Sequence, residues 1–288
     1  MNVQARHTWE YLLHAETVIP AVRHRRLFVD NPQSPLLIMM MTVQHDSTAV
    51  IWPPYVFGSL QNIEAQTVQH MIEAAAEHAK QAGGWVLQSL IEAEDPVPSD
   101  ILTMGGMEYL TDLNYLRKTL LDYKFDAIEE IPSAQIIKYH PGTNDTLFID
   151  VIEQSFIDSQ DCPEVSHGRT AKAAFQSYRY AGHFSPDNWF VMVDETGVAQ
   201  GVVLLTEHTE IEQWELIYLG VAVNSRKRGI GKKLMHQALR HVKDRRGQSL
   251  ILAVDFRNSS ALQLYRQAGF ELFQRQKLHL QLLTNSSK

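Results

Sequence analysis

A displacement of 163 residues lays residues 84–117 on 247–280 without a gap. Internal similarity of this kind constrains a fold more than any local pattern, because two copies of one unit must each bury an equivalent core. Under the same displacement Gly106-Met107-Glu108 falls on Gly269-Phe270-Glu271. Met71, Ile72, Ala75, Ala76 and Ala79 fall on the apolar stripe of a later helix. Identity is confined to Gly84, Leu87, Gly106 and Glu108 over the 34 pairs, against roughly two expected from average composition. Pattern is kept where identity is not, so the expectation is a diverged duplication. A length of 288 residues fits two domains.

The second half reads more clearly. Residues 136–139 suggest a short strand closed by His140-Pro141-Gly142. A helix follows over 145–156, with Leu147, Phe148, Val151, Ile152 and Phe156 at helical period. Another is expected over 169–180. Pro186 introduces strands at 189–193, 198–206 and 214–223, the first two joined by the turn Asp194-Glu195-Thr196-Gly197. Ile230, Leu234, Ala238 and Val242 then mark an amphipathic helix covering a sheet. A buried strand at 249–254, a helix at 259–268 stopped by Gly269, and one or two strands over 271–283 complete the domain.

In the first half the expectations are a helix at 8–15, paired strands at 36–43 and 48–52 around His45-Asp46, a helix over 62–81 and a strand at 86–92. Residues 119–133 are charge-rich without a period and read as the linker. The predicted domains are therefore 1–128 and 129–288, each a mixed α/β unit.

A net charge of −7 opposes nucleic acid or an anionic membrane as general partners. Cys162 is the only cysteine, which excludes an intrachain disulfide and a Cys-rich zinc site. The stretch MNVQARHTWE lacks the apolar core of a signal peptide, and the apolar run at 36–43 is far short of the ~20 residues of a membrane helix. A cytoplasmic protein is expected. The 13 histidines show no metal-ligand spacing, so no metal is expected.

Against this acidic background, SRKRGIGKKL at 225–234 concentrates five cations and two glycines where a strand becomes a helix. A P-loop fails twice, since Lys233 follows Gly231-Lys232 and Arg226 occupies the place of the first glycine. A dinucleotide fingerprint fails because Leu234 stands where its third glycine belongs. What remains is Arg226-x-x-Gly229-x-Gly231 directly after a strand. A helix N-terminus offers unpaired N–H groups and partial positive charge to a pyrophosphate, and the glycines admit close approach. The plainer alternative is a helix start with a solvated basic face.

This segment resembles the pyrophosphate-binding motif of the GNAT acetyltransferase superfamily. The preceding YLGVAV, the later LAVD at 252–255, Asn258, Ala261, Tyr265 and Gly269-Phe270 match the family's second block. The resemblance covers about 135 to 283, and the whole chain is similar to bacterial tandem-GNAT proteins, the arrangement of mycothiol synthase. It implies two GNAT-like domains in tandem, the N-terminal one degenerate. The donor would be acetyl-CoA. Arg226, Arg228, Gly229, Ile230, Gly231 and Lys232 would hold its phosphates, with Lys233 adding charge. A strand bulge at Gly220 would free backbone groups around Val221, Ala222 and Val223 for the pantetheine; the alternative is a glycine packed against a neighbouring side chain.

The implied reaction is transfer of the acetyl group to a primary amine of a small molecule by direct attack. An alkylamine is mostly protonated at neutral pH, so a base is required. Glu215 and Asp255 are the candidates. Tyr265 would protonate the departing sulfur, and Asn258 would bind the coenzyme or cap the helix that follows it. His167, Arg169 and His183 fall where the family shapes its acceptor pocket. Cys162 has no local partner that would make it a nucleophile. Two other functions stay open: a non-catalytic acyl-CoA sensor, and a protein N-acetyltransferase. The first copy carries Ile63, Gln66, Val68 and Leu102 opposite Arg226, Gly229, Gly231 and Tyr265, so one coenzyme per chain is expected.

Overall fold

A computed structural model describes residues 22–30, 36–44, 46–121, 134–166 and 168–283. The expected helix at 8–15, most of the linker, the boundary at 128, His45 and His167 lie outside the described residues. The first half contains β1 (Val22–Val29), β2 (Leu37–Gln44), β3 (Thr48–Ile51), β4 (Tyr55–Val56), α1 (Ala65–Gln81), β5 (Val86–Glu92), α2 (Pro96–Met104) and β6 (Glu108–Thr119). Helix α1 starts three residues later than its period suggests. Leu60–Asn62 forms a separate 3-10 turn, whose cap Ser59 accepts from the Gln61 N–H at 3.3 Å. Val68, Met71, Ile72, Ala75, Ala76 and Ala79 form its buried stripe. The Asp95 carboxylate caps α2, where Pro96 occupies a first-turn position that needs no N–H.

The second half contains β7 (Gln135–Lys138), α3 (Asp145–Phe156), α4 (Pro163–Ser166), α5 (Ala171–Ser177), β8 (Trp189–Val193), β9 (Ala199–His208), β10 (Gln213–Val221), α6 (Ile230–Asp244), β11 (Ser249–Asp255), α7 (Ser259–Gln267) and β12 (Glu271–Leu282). The helix expected over 169–180 is shorter. Thr170 caps α5 by accepting from the Ala173 N–H, and a 3-10 turn replaces α-helix from Tyr178. Displacing β5, α2 and β6 by 163 gives the bounds of β11, α7 and β12 residue for residue. The repeat is real in three dimensions.

All strands join one mixed sheet in the order β1-β2-β3-β5-β12-β6-β11-β10-β9-β8-β7, with β4 paired to β2. The halves exchange their last strands. Strand β12 of the second half pairs with β5 of the first, while β6 of the first pairs with β11 of the second. At the centre β6 and β12 run antiparallel to each other. Glu271 opposes Arg117 and Leu280 opposes Glu108, two pairings that the displacement interchanges. Side chains follow the backbone: Leu116 and Leu120 enter the second half's core, and Leu283 enters the first half's. One further core lies under α3 and α5 around Trp189, Tyr139, Phe148 and Phe175.

Candidate active site

Strands β10 and β11 run parallel but pair only at Trp214–Leu250 and Glu215–Ile251. Beyond Glu215 they separate. The register of β10 against β9 slips between Leu216 and Tyr218, so the bulge is at Ile217 and not at Gly220. Gly220 is explained by packing, since a Cβ there would lie 2.6 Å from Ser155 Oγ on α3. The Ala222 N–H donates to the Gln200 carbonyl of β9 at 3.0 Å. Alternation along a strand therefore turns the N–H and C=O of Val221 towards the opening left by β11. Val223 begins a one-turn 3-10 segment, Val223–Ser225, that leads to the basic turn.

At that turn Gly229 has φ +81° and precedes α6, which no side chain caps. The Lys233 N–H is bonded to the Gly229 carbonyl, leaving those of Ile230, Gly231 and Lys232 as the orphan donors of the first turn. Arg228 and Lys232 are exposed beside them. A Cβ on Gly231 would meet Leu264 Cδ2 at 3.4 Å, an ordinary contact. Packing by the protein alone does not demand that glycine. Arg226 is placed differently from the expectation of a phosphate cation. Its guanidinium donates to the carbonyls of Ser155 (3.0 Å) and Asp158 (3.4 Å) at the end of α3, and its Nε to Val221 (3.4 Å). It ties the turn to α3. In the first half β3 ends at Ile51 before Pro53-Pro54, and Ile63, Val68 and Leu102 are buried core. Glu64 stands at the N-cap of α1, a carboxylate where an anion would need to approach.

Tyr265 is buried, 5.9 Å between ring centroids from Phe270, and no described residue hydrogen-bonds to its hydroxyl. Burial, then the Asp161 charge, pushes its phenol above 10 and keeps it protonated. Asn258 takes the capping role: its Oδ1 accepts from the Ala261 N–H at 3.1 Å, and its side chain also bonds to Asp161. Asp255 is fully buried, and its carboxylate is consumed by Thr111 Oγ1 (2.7 Å), the Cys162 N–H (3.1 Å) and Arg257 Nη2 (2.7 Å). Burial opposes its charge, but Arg257, Thr111 and Cys162 outweigh that and hold it below the usual carboxylate range. A carboxylate so occupied is a clamp between the halves and not a base. Burial and the charges of Asp161 and Asp255 push the Cys162 thiol up, away from nucleophilic use.

Glu215 lies on the wall of a cavity of about 440 Å³ between the two halves. Gln44, Asp46 and Gln88 come from the first half, and Arg169, Tyr178 and Ile217 from the second. His208 Nε2 is 2.7 Å from Glu215 Oε2. That hydrogen bond raises the imidazole above 6.5 against the opposing effect of burial. Arg169 crosses the seam to Asp46 (3.3 Å) and donates to the Tyr178 hydroxyl (3.2 Å). His183 is exposed, and its N–H bonds to the Glu207 carbonyl of β9. Sequence reasoning missed Gln44, Asp46 and Gln88 because nothing local connects them to the second half, and it missed His208 because its contact with Glu215 depends on the register of β9 against β10. Among the described residues no group of three metal-ligating side chains occurs, and no helix is long and apolar enough to cross a membrane.

Residues 153–270 match the model of the acetyltransferase (GNAT) family. Mycothiol acetyltransferases of Salinispora arenicola and Salinispora tropica are each 29% identical over 136 residues, 46% of this chain and 43% of theirs. The match thus spans less than half the length of these relatives. The fold is similar to that of a GCN5-related N-acetyltransferase from Sphaerobacter thermophilus, with TM-score 0.65 at 18% identity, covering 88% of this chain and 79% of that one. It is also similar to a tandem GNAT protein from the clavulanic acid biosynthesis pathway, with TM-score 0.57 at 14% identity, covering 93% and 85%. Residues 153–270 are thus similar to the GNAT acetyltransferase family, and the chain that carries them has a fold similar to that of a tandem GNAT protein.

Proposed function

We propose that the chain is an acetyl-CoA-dependent N-acetyltransferase that acts on the primary amine of a small molecule by direct attack. The observation that carries this reading is the parting of β10 from β11 just beyond Glu215, beside the uncapped turn at Gly229. The first-turn N–H groups of Ile230, Gly231 and Lys232 receive the pyrophosphate, with Arg228 and Lys232 adding charge. Arg226 acts at one remove, by fixing the turn to α3. The freed N–H of Val221 pairs with a pantetheine amide, and Ala222 and Val223 carry the backbone on into the turn. Asn258 holds the start of α7 and thereby the position of Tyr265.

Glu215 takes a proton from the acceptor ammonium, and the free amine forms its N–C bond at the thioester carbon. A backbone N–H of β10 stabilises the negative charge that develops on the oxygen. As the C–S bond breaks, Tyr265 delivers its proton to sulfur. A phenol held above 10 is a weaker acid than a thiol near ~8.5, so this transfer must accompany bond cleavage. The second proton shed by the acylated nitrogen passes through solvent to restore the phenol. Glu215 rather than Asp255 is assigned as base because its carboxylate faces the cavity.

Release of coenzyme thiol from acetyl-CoA by the purified chain, followed over a panel of amines, tests the reading. Amine-dependent release is expected. Binding of acetyl-CoA without release for any amine would favour a sensor instead.

A further inference from the structure

The cavity between the halves has a wall that acetyl transfer itself does not use. Gln44 ends β2 and Gln88 lies within β5, both half-buried and both lining that cavity. Neither side-chain amide is bonded to any described residue. The charges around them are already committed. Asp46 accepts from the Thr48 N–H (3.0 Å) and from Arg169 (3.3 Å), Arg169 donates on to Tyr178, and its remaining Nε is buried. Across the cavity Glu215 presents its carboxylate, shared only with His208 among the described residues.

A ligand that satisfies this lining brings an ammonium group to Glu215 and neutral donors and acceptors to the two amides. A hydrocarbon amine would displace water from both amides and leave them unpaired. An anionic amine would meet Glu215 and Asp46, while Arg169, the one guanidinium among the described lining residues, is already engaged by Asp46 and Tyr178. Discrimination against a missing hydrogen bond is where a polar site is strongest.

We propose that the first half, which lacks a coenzyme turn, is the acceptor-recognition half. Gln44 and Gln88 select a primary amine whose body carries hydroxyl or amide groups and no anionic group. This inference rests on the N-acetyltransferase reading and adds to it a specificity that the second half does not contain.

The test is steady-state coenzyme-thiol release by the full chain with two sets of amines. Serinol, serinamide and 1-amino-1-deoxyglucitol form the polar set; propylamine, hexylamine and benzylamine form the hydrocarbon set. The polar set is expected to have kcat/KM at least about tenfold higher. Gln44→Leu and Gln88→Leu should each raise KM for the polar amines about tenfold, leave the Kd of acetyl-CoA by calorimetry unchanged, and narrow the gap between the sets. Gln44→Ala and Gln88→Ala, which remove the amides without adding apolar bulk, should raise the same KM should a leucine variant fold poorly. Equal use of both sets, or folded variants with acceptor KM within about twofold of the unaltered chain, would overturn the inference and leave the N-acetyltransferase reading in place. Absence of transfer to every amine by the unaltered chain would overturn that reading, and this inference with it.

Discussion

His208 Nε2 lies 2.7 Å from Glu215 Oε2, a hydrogen bond between neighbouring strands at the edge of the cavity. It raises the imidazole above 6.5, because the carboxylate favours the charged form and outweighs desolvation. The folded pKa lies above the unfolded one. The pair's contribution to stability is therefore full below about 6.5 and is lost as pH rises through the raised value. His208→Gln keeps a hydrogen-bond donor and removes the titration. Thermal melts across this window should show less pH dependence in the variant than in the unaltered chain. Identical slopes would mean that the pair does not hold in solution.

Arg228→Glu combined with Gly229→Asp should abolish acetyl-CoA binding and leave the fold intact. The change puts negative charge at the orphan N–H groups of α6, and aspartate tolerates the left-handed backbone at position 229 better than most residues. Calorimetry on the unaltered chain should give one site, since the first half has Val68 buried where Gly231 lies open. Unchanged affinity in the folded double variant, or two comparable sites in the unaltered chain, would sink the assignment.

Tyr265→Phe should lower kcat by ~10²–10⁴-fold with little change in acetyl-CoA affinity, as loss of a general acid does. Because no described residue bonds to the hydroxyl, its removal should cost little stability. A variant within about twofold of the unaltered chain would show that water protonates the sulfur.

Division of the chain provides a fourth prediction. Residues 134–288 alone leave β11 without β6 and β12 without β5, exposing paired edges and removing Leu116 and Leu120 from the core. This fragment should show no cooperative thermal transition, and co-expression with residues 1–121 should restore one. A fragment that melts cooperatively and binds acetyl-CoA as the full chain does would contradict this.

Much of the molecule was legible without a structure, wherever the information was local. The period of α6, the turn at Gly269 and the strands at 189–193 and 86–92 depend on neighbours within a few residues. The displacement of 163 residues likewise carried the repeat, because folding preserves the apolar stripe after other residues have diverged. Motif reading also located the turn at Gly229. It misplaced the bulge by three residues, since a slip in register depends on the partner strand and not on the glycine.

Tertiary structure decided the rest because the deciding partners are far apart in sequence. Two similar halves can each close their own sheet or trade β6 for β12, and the sequence pattern is the same in both cases. Arg226 carries the same motif position whether it faces a phosphate or the carbonyls of Ser155 and Asp158, and only packing of α3 against the turn chose the second. Asp255 and Glu215 are both carboxylates on adjacent strands. Burial with Arg257 and Thr111 made one a clamp, while the cavity left the other accessible for chemistry.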